Sequence, residues 1–453
     1  MNSANNPRYH NDSDMRLDGV FATDNQIRST PVVVEDSLYL GNHESGDLYS
    51  YDIVTQELNW KARAPNWVHS EIIYANNALF VGFGNRHVQS DGTRGTGESG
   101  VMSLVPQSGE ERWTFDTKGE VMPTPLFFDG TVYATTGDKH LYGLDPETGE
   151  ERWRLNLGHV VSMSSPNVKD GVMYVGGGTP APSTFSAIDL SAQKILWQTR
   201  FEKIKAGLDD VPPVIHDNLV ITTAVELLDK PVSLEETYYR RGAVKTYKQI
   251  LRRLFGNIIN KPPAASRRHV IYAMDIATGE VIWRKNIGSG SQVTNNKSGA
   301  PMVYQGKVFV GSPLTRAFYA YDAKTGQKLW SYSSRTNKAP PVADEGKVFF
   351  TDTSGVIYAL DVDSGELLGA KYVGGKLAPS GPVLINNSVL VGSQDSNAYM
   401  LPVERILAAN DVPEPKNKRR DYVIAIYVLP LALFALVCGL IAFAYRWKKR
   451  QRA

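Results

Sequence analysis

Apolar residues along this chain come in short runs, such as Val172-Met173-Tyr174-Val175 and Val308-Phe309-Val310, broken by Gly and Asp. That pattern predicts brief β-strands joined by tight turns. The runs keep step with a recurring unit in which Asp opens a turn, Gly closes it and Trp comes next. Asp145 with Thr148-Gly149 runs to Trp153, Asp275 with Thr278-Gly279 to Trp283, and Asp322 with Thr325-Gly326 to Trp330. Weaker copies run from Asp52 to Trp60, from Val105 through Gly109 to Trp113, and from Asp189 to Trp197. In a seventh, Asp361 and Gly365 are followed by Gly369 in place of Trp, and an eighth fades at Pro402. Successive anchors at 52, 105, 145, 189, 275, 322, 361 and 402 give a base period near forty residues.

A forty-residue period of short strands predicts a β-propeller of four-stranded blades, and eight copies predict eight blades. The fold class expected is therefore all-β, with a helical insertion and one C-terminal transmembrane helix added to the ring. Each repeated residue has a physical role. Asp bonds turn amides, Gly takes the left-handed conformation, and Trp buries a large ring against the next blade. Trp60, Trp113, Trp153, Trp197, Trp283 and Trp330 are thus expected to dock blades. The segment Met15 to Ala22 matches the residues just after each Trp elsewhere and is expected to complete the last blade, removing an open sheet edge. The domain boundaries expected are a flexible N-terminus over 1–14, a propeller over 15–407, a linker over 408–421, a membrane helix over 422–445 and a basic tail over 446–453.

The Asp-x-x-Thr-Gly-x-x-x-Trp unit resembles the blade signature of the PQQ-like β-propellers, which include quinoprotein alcohol dehydrogenases and the outer-membrane assembly factor BamB. The resemblance covers roughly 15–407 and speaks to fold more than function. Quinoprotein members hold Ca²⁺ beneath a quinone with an Asp as base, and several add vicinal cysteines or a haem segment. Here the only cysteine is Cys438, outside the propeller. Asp209-Asp210 and Asp352 read as turn and strand-end residues, and His43, His69, His140 and His159 show no metal-ligand spacing. The expectation is a non-enzymatic scaffold or assembly subunit, with no catalytic, cofactor-binding or metal residues assigned and no cofactor called, PQQ and calcium being open but unsupported by these residues. A PQQ-dependent oxidoreductase and a ligand- or stress-sensing propeller are the alternatives.

Two long spacings mark insertions. The first, His87 to Ser99, contains Gly95-Thr96-Gly97-Glu98-Ser99-Gly100, formally a dinucleotide fingerprint, but no βαβ unit surrounds it, so it reads as a flexible propeller loop. The second, 226–268, opens with the capping box Ser233-Leu234-Glu235-Glu236 and predicts one helix to about Arg241 and another from Ala243 to about Asn260. In the latter, Val244, Tyr247, Leu251, Leu254 and Ile258 form an apolar stripe flanked by basic residues. Lys245, Lys248, Leu251, Arg252, Arg253, Leu254 and Phe255 are candidate contacts with a membrane or a partner; the other reading packs the stripe on the propeller.

Tyr422 to Tyr445 runs 24 residues without a charge, enough to span a bilayer. Basic residues flank it on both sides, Lys416, Lys418, Arg419 and Arg420 before and Arg446, Lys448, Lys449, Arg450 and Arg452 after. The family and the tail charge favour an extracytoplasmic propeller; the absence of a signal peptide in this sequence leaves a cytosolic, tail-anchored one open. The partners expected are a membrane and a protein of a membrane complex, with no nucleic acid. The formal charge of +2 conceals a sorting: 226–268 carries +6, 414–453 carries +7, and the remainder −11.

Overall fold

The computed structural model describes residues 6–10, 17–258, 260–291, 293, 297–413 and 418–451. Met1 to Asn5, the stretch 11–16 that opens the expected closing segment, Ile259, Lys416 and Arg452 lie outside the described residues. The chain divides into two units, 1–226 with 268–288 and 293–412, and 227–267 with 289–292 and 413–453.

The first unit is an eight-bladed β-propeller of four-stranded antiparallel blades. Its first blade runs Val32–Val34, Ser37–Gly41, Asp47–Asp52 and Leu58–Arg63, and the others repeat that order. Eight apolar clusters hold the ring, each drawing on two adjoining blades; one joins Tyr39 and Trp60 to Leu79 and Phe83. The last links Phe21, Leu390 and Met400 to Leu38 and Tyr49, so the circle closes. Gly19–Ala22 supplies the closure by pairing antiparallel with Asn397–Pro402. Arg8–Tyr9 pairs parallel with Leu384–Ile385, and Asn6 exchanges two hydrogen bonds with the Ala343 backbone, at 2.9 and 2.8 Å.

The turn chemistry is uniform. Asp145 Oδ1 accepts from the amides of Glu147 and Thr148 at 2.8 and 3.0 Å, and Asp275, Asp322 and Asp361 do the same. Trp indoles then donate across to the following blade: Trp60 to Pro106 O, Trp113 to Pro146 O, Trp197 to Ile276 O, Trp283 to Ala323 O and Trp330 to Val362 O, at 2.8 to 3.2 Å. Trp153 lies against Tyr133 of its own blade, ring centroids 5.8 Å apart.

In the second unit the insertion helix spans Leu234–Phe255 and breaks at Gly242, whose φ of 75° separates two helical stretches. Ser233 caps it, its Oγ accepting from Glu236 N at 3.0 Å. The apolar stripe faces outward: Val244, Leu251, Leu254, Phe255 and Ile258 are 48 to 82% exposed. Polar Thr246 and Gln249 are the buried ones, and Gln249 bonds both the N–H and the carbonyl of Ala264. Within this unit the stripe is left uncovered, while the polar face is satisfied by hydrogen bonds to the returning chain.

The terminal helix contains one stretch, Arg419–Lys448, long and apolar enough to cross a membrane, beginning earlier and ending later than the uncharged run. It is a run of α-helix interrupted by a π-turn at Ile424–Val428. Pro430 explains the interruption. In the π-turn Leu429 N bonds Ile424 O, so the donor due to Ala425 O is residue 430, and proline has none. Tyr247 of the insertion helix fills the gap, its hydroxyl donating to Ala425 O at 2.7 Å. Tyr238 and Tyr422 add an edge-on ring contact at 5.5 Å.

Candidate functional site

The central channel is built from a position that the repeat supplies once per blade. Four residues ahead of the inner strand stand Arg28, His69, Met122, Met163, Asp210, Lys338 and Pro379, as in Arg28-Ser29-Thr30-Pro31-Val32, and three ahead of the strand opened by Pro301 stands Ser298. All but Ser298 line a narrow void of about 70 Å³. Above it opens a cavity of about 270 Å³, lined by Arg28, His43, His69, Arg86, Arg94, Asp209, Asp210 and Lys297 with Met122 and Met163.

Arg86 and Arg94 arrive on the first insertion, which is pinned in place, contrary to the flexible loop expected. Val88 bridges Arg94 as a tight hairpin. Arg94 N donates to Gly137 O at 3.0 Å and Glu120 N to Arg94 O at 2.8 Å. Asn85 clasps Thr96 through three bonds of 2.6 to 3.2 Å. The formal dinucleotide fingerprint thus makes a clasp that carries two arginines to the channel, and Gly95, at φ 111°, lets the chain pass Glu120 where a Cβ would lie 2.4 Å from its amide nitrogen.

The cluster is electrostatically strained. Burial, with Arg86 nearby, brings the Arg28 guanidinium down to about 10, and its Nε has no hydrogen-bond partner. Burial, followed by Arg28, pulls the Lys338 ammonium down to about 8. His43 is lowered to about 3 and His69 falls well below its ordinary range, burial leading and Arg28 adding to both. Both therefore stay neutral; their rings are 5.2 Å apart and His43 lies 4.8 Å from Trp67.

Three carboxyls face these cations. Glu120, fully buried, has its Oε1 2.9 Å from Arg94 Nε, but the alignment is poor and neither of its oxygens has a hydrogen-bond partner. Burial outweighs the guanidinium and pushes the carboxyl up to about 8, so it is largely protonated at neutral pH. Asp209 touches cavity solvent, yet the surrounding protein and then neighbouring Asp210 raise its pKa. Asp210 Oδ2 accepts from Lys297 N at 2.8 Å.

Asp209-Asp210, read from the sequence as turn residues, are therefore channel groups. Asp352 does serve its turn, accepting from Ser354 N at 2.8 Å and from the Tyr358 hydroxyl at 3.0 Å. Of the histidines, His43 and His69 meet in the channel, His140 bonds Asp138 at 3.2 Å and His159 bonds Ser186 at 3.1 Å. A calcium-supported quinone would ask for convergent acidic donors. Among the described residues no group of three or more His, Cys, Asp or Glu is placed to hold a metal ion, and the two channel aspartates stand among Arg28, Arg86, Arg94 and Lys297.

Fold and repeat define a PQQ-like propeller. The chain belongs to the family described as outer membrane protein assembly factor BamB, whose profile matches residues 86–226 and 264–407. It is 25% identical over 399 residues to a tetrathionate hydrolase of Acidithiobacillus ferrooxidans, covering 83% of this chain and 72% of that one. It is 22% identical over 318 residues to BamB of Yersinia pestis, covering 67% of each. Among solved structures, BamB from Moraxella catarrhalis superposes with a TM-score of 0.60 at 15% identity, over 84% of this chain and 98% of that one. Quinohemoprotein alcohol dehydrogenase from Comamonas testosteroni gives 0.58 at 13%, over 88% and 77%.

Proposed function

We propose that this is a membrane-tethered propeller that binds a small sulfur oxyanion of the tetrathionate class at its channel mouth and cleaves it by hydrolysis. The observation that carries the reading is the convergence of Arg28, Arg86, Arg94 and Lys297 on one cavity, in a body whose share of the charge is −11. Cations held together by the fold in a semi-enclosed space, two of them (Arg28 and Arg94) with a buried, unpartnered Nε–H, are relieved by an anion. A protonatable carboxyl beside them suits the cleavage. Water oxygen bonds to one sulfur, the S–S bond breaks with its electron pair on the departing sulfur, and protonated Asp209 supplies the proton that sulfur needs. The proton released by water restores Asp209. The hydrolase relative, similar over most of both chains, supports this reading in place of a purely non-enzymatic propeller.

Titration calorimetry of the full chain with tetrathionate tests it, with sulfate as the comparison. Binding weakened at least tenfold in Arg28→Met, and tetrathionate consumption lost in Asp209→Asn with binding kept, are expected. No heat of binding to the wild-type chain would sink the reading.

A second reading is the assembly scaffold. The family match favours it, since the relatives named BamB are assembly factors. Capture of the full chain in mild detergent would then return a membrane-complex subunit at fixed stoichiometry, independent of Arg28→Met.

A further inference from the structure

The insertion helix presents the reverse of a soluble amphipathic helix. Its apolar residues Val244, Leu251, Leu254 and Phe255, with Ile258 in the turn that follows, are exposed, while its buried face is polar and hydrogen-bonded. A contiguous apolar patch of this kind is costly in water and marks a surface made to be covered. Lys245, Lys248 and Arg253 are exposed on the same helical stretch. What covers the patch is set by where the helix is tied. Tyr247 bonds Ala425 O, three residues into the uncharged run that starts at Tyr422, which is ~4.5 Å along the axis at the α-helical rise. That depth is the headgroup–acyl boundary if the run begins at the membrane surface. Tyr238, Tyr239, Tyr422 and Tyr427 cluster at the same level, with ring centroids 5.5 to 6.3 Å apart, as tyrosines do at bilayer interfaces.

We infer that the insertion helix is an interfacial helix: Leu251, Leu254, Phe255 and Ile258 enter the outer acyl region of the bilayer crossed by the terminal helix, while Lys245, Lys248 and Arg253 hold anionic phospholipid headgroups. The occupant is lipid because the helix is hydrogen-bonded to the membrane-entering helix itself, its apolar face is flanked by cations, and the two charge-sorted segments of the chain, +6 and +7, meet in this one unit. The membrane then holds the chain at two places, one crossing and one lying in the surface. The inference rests on the membrane-tether part of the proposed function and is independent of the oxyanion chemistry.

Spin labelling of the full chain in vesicles tests it. In a Cys438→Ser background, nitroxides are attached at Leu254→Cys, at Lys248→Cys and, within the terminal helix, at Leu436→Cys. The vesicles are phosphatidylcholine with or without one third phosphatidylglycerol, and collision with oxygen and with a water-soluble nickel chelate gives the depth of each label. The expected result is a label at 436 deep in the bilayer, a label at 254 just below the phosphates and a label at 248 in water. The label at 254 should become shallower without phosphatidylglycerol or after Lys245→Glu with Arg253→Glu. A deep label at 436 with a fully water-exposed label at 254 overturns this inference alone, and protection of 254 from both colliders points to a protein partner and overturns it too. A water-exposed label at 436 overturns the tether reading and this inference together.

Discussion

Gly149 shows how closely a single residue is constrained by the repeat. Its φ is 74°, and a Cβ there would meet the Trp113 ring of the preceding blade at 2.6 Å. Gly158, at φ 76°, has nothing within 4 Å. Both substitutions to Ala pay for the left-handed backbone, ~1 kcal/mol, but only Gly149→Ala must also displace an indole whose N–H is bonded to Pro146 O. Gly149→Ala is expected to cost ~1–3 kcal/mol more than Gly158→Ala in urea unfolding midpoints. Glu120 is constrained by solvation instead. Its folded pKa, about 8, stands above the ordinary 4.5, so the proton it retains favours the folded state. That contribution is complete below pH 4.5 and is lost as pH rises through about 8. The melting temperature should fall across that window, and Glu120→Gln should flatten the fall; an unchanged slope would place the titration elsewhere.

Among the elements, the two insertions differ in how far their sequence foretold them. The capping box at Ser233 and the 3–4 spacing of apolar residues announced the helix and its breaks, because helix formation is decided locally. Which way the stripe faces is decided by what satisfies the other side, and the partners of Gln249 and Tyr247 are Ala264 and Ala425, the latter far along the chain. Spacing alone carries no information about them. The arginine clasp was hidden for a similar reason: Arg94 matters through Glu120 and Gly137, residues of the neighbouring blade. Tyr247→Phe tests the helix tie. It leaves Ala425 O without the donor that Pro430 cannot give, a loss of ~1–3 kcal/mol for a carbonyl away from water. Amide exchange in residues 243–255 should quicken by roughly 5- to 100-fold on that basis, while exchange in blades 1 to 4 stays as it was.

On the scale of the whole propeller, the eight blades were legible because a period of forty with Asp, Gly and Trp in fixed phase admits few other architectures. The channel was legible too, once the repeat is traced to the residue three or four before each inner strand, but the Trp-anchored phase draws the eye to the blade's outer turns. What spacing cannot supply is the convergence of seven of those positions on one void, which exists only when the ring is closed. Closure rests on four residues, Gly19–Ala22, among them Phe21, 1% exposed between the last blade and the first. A chain beginning at Thr23 would leave Asn397–Pro402 as an open, largely apolar edge, and an unpaired edge seeks another strand. Such a chain should melt at a lower temperature and over a broader range than the full one and scatter light on warming. A peptide of residues 17–23 added in trans should restore the melt, because it returns both the ladder and the Phe21 ring to their places. If the shortened chain melts like the full one, the ring does not depend on this strand. If it loses tetrathionate binding and regains it with the peptide, closure of the ring and assembly of the Arg28 site are one event, as expected when Arg28 lies six residues beyond the closing strand and its cavity neighbours come from distant blades.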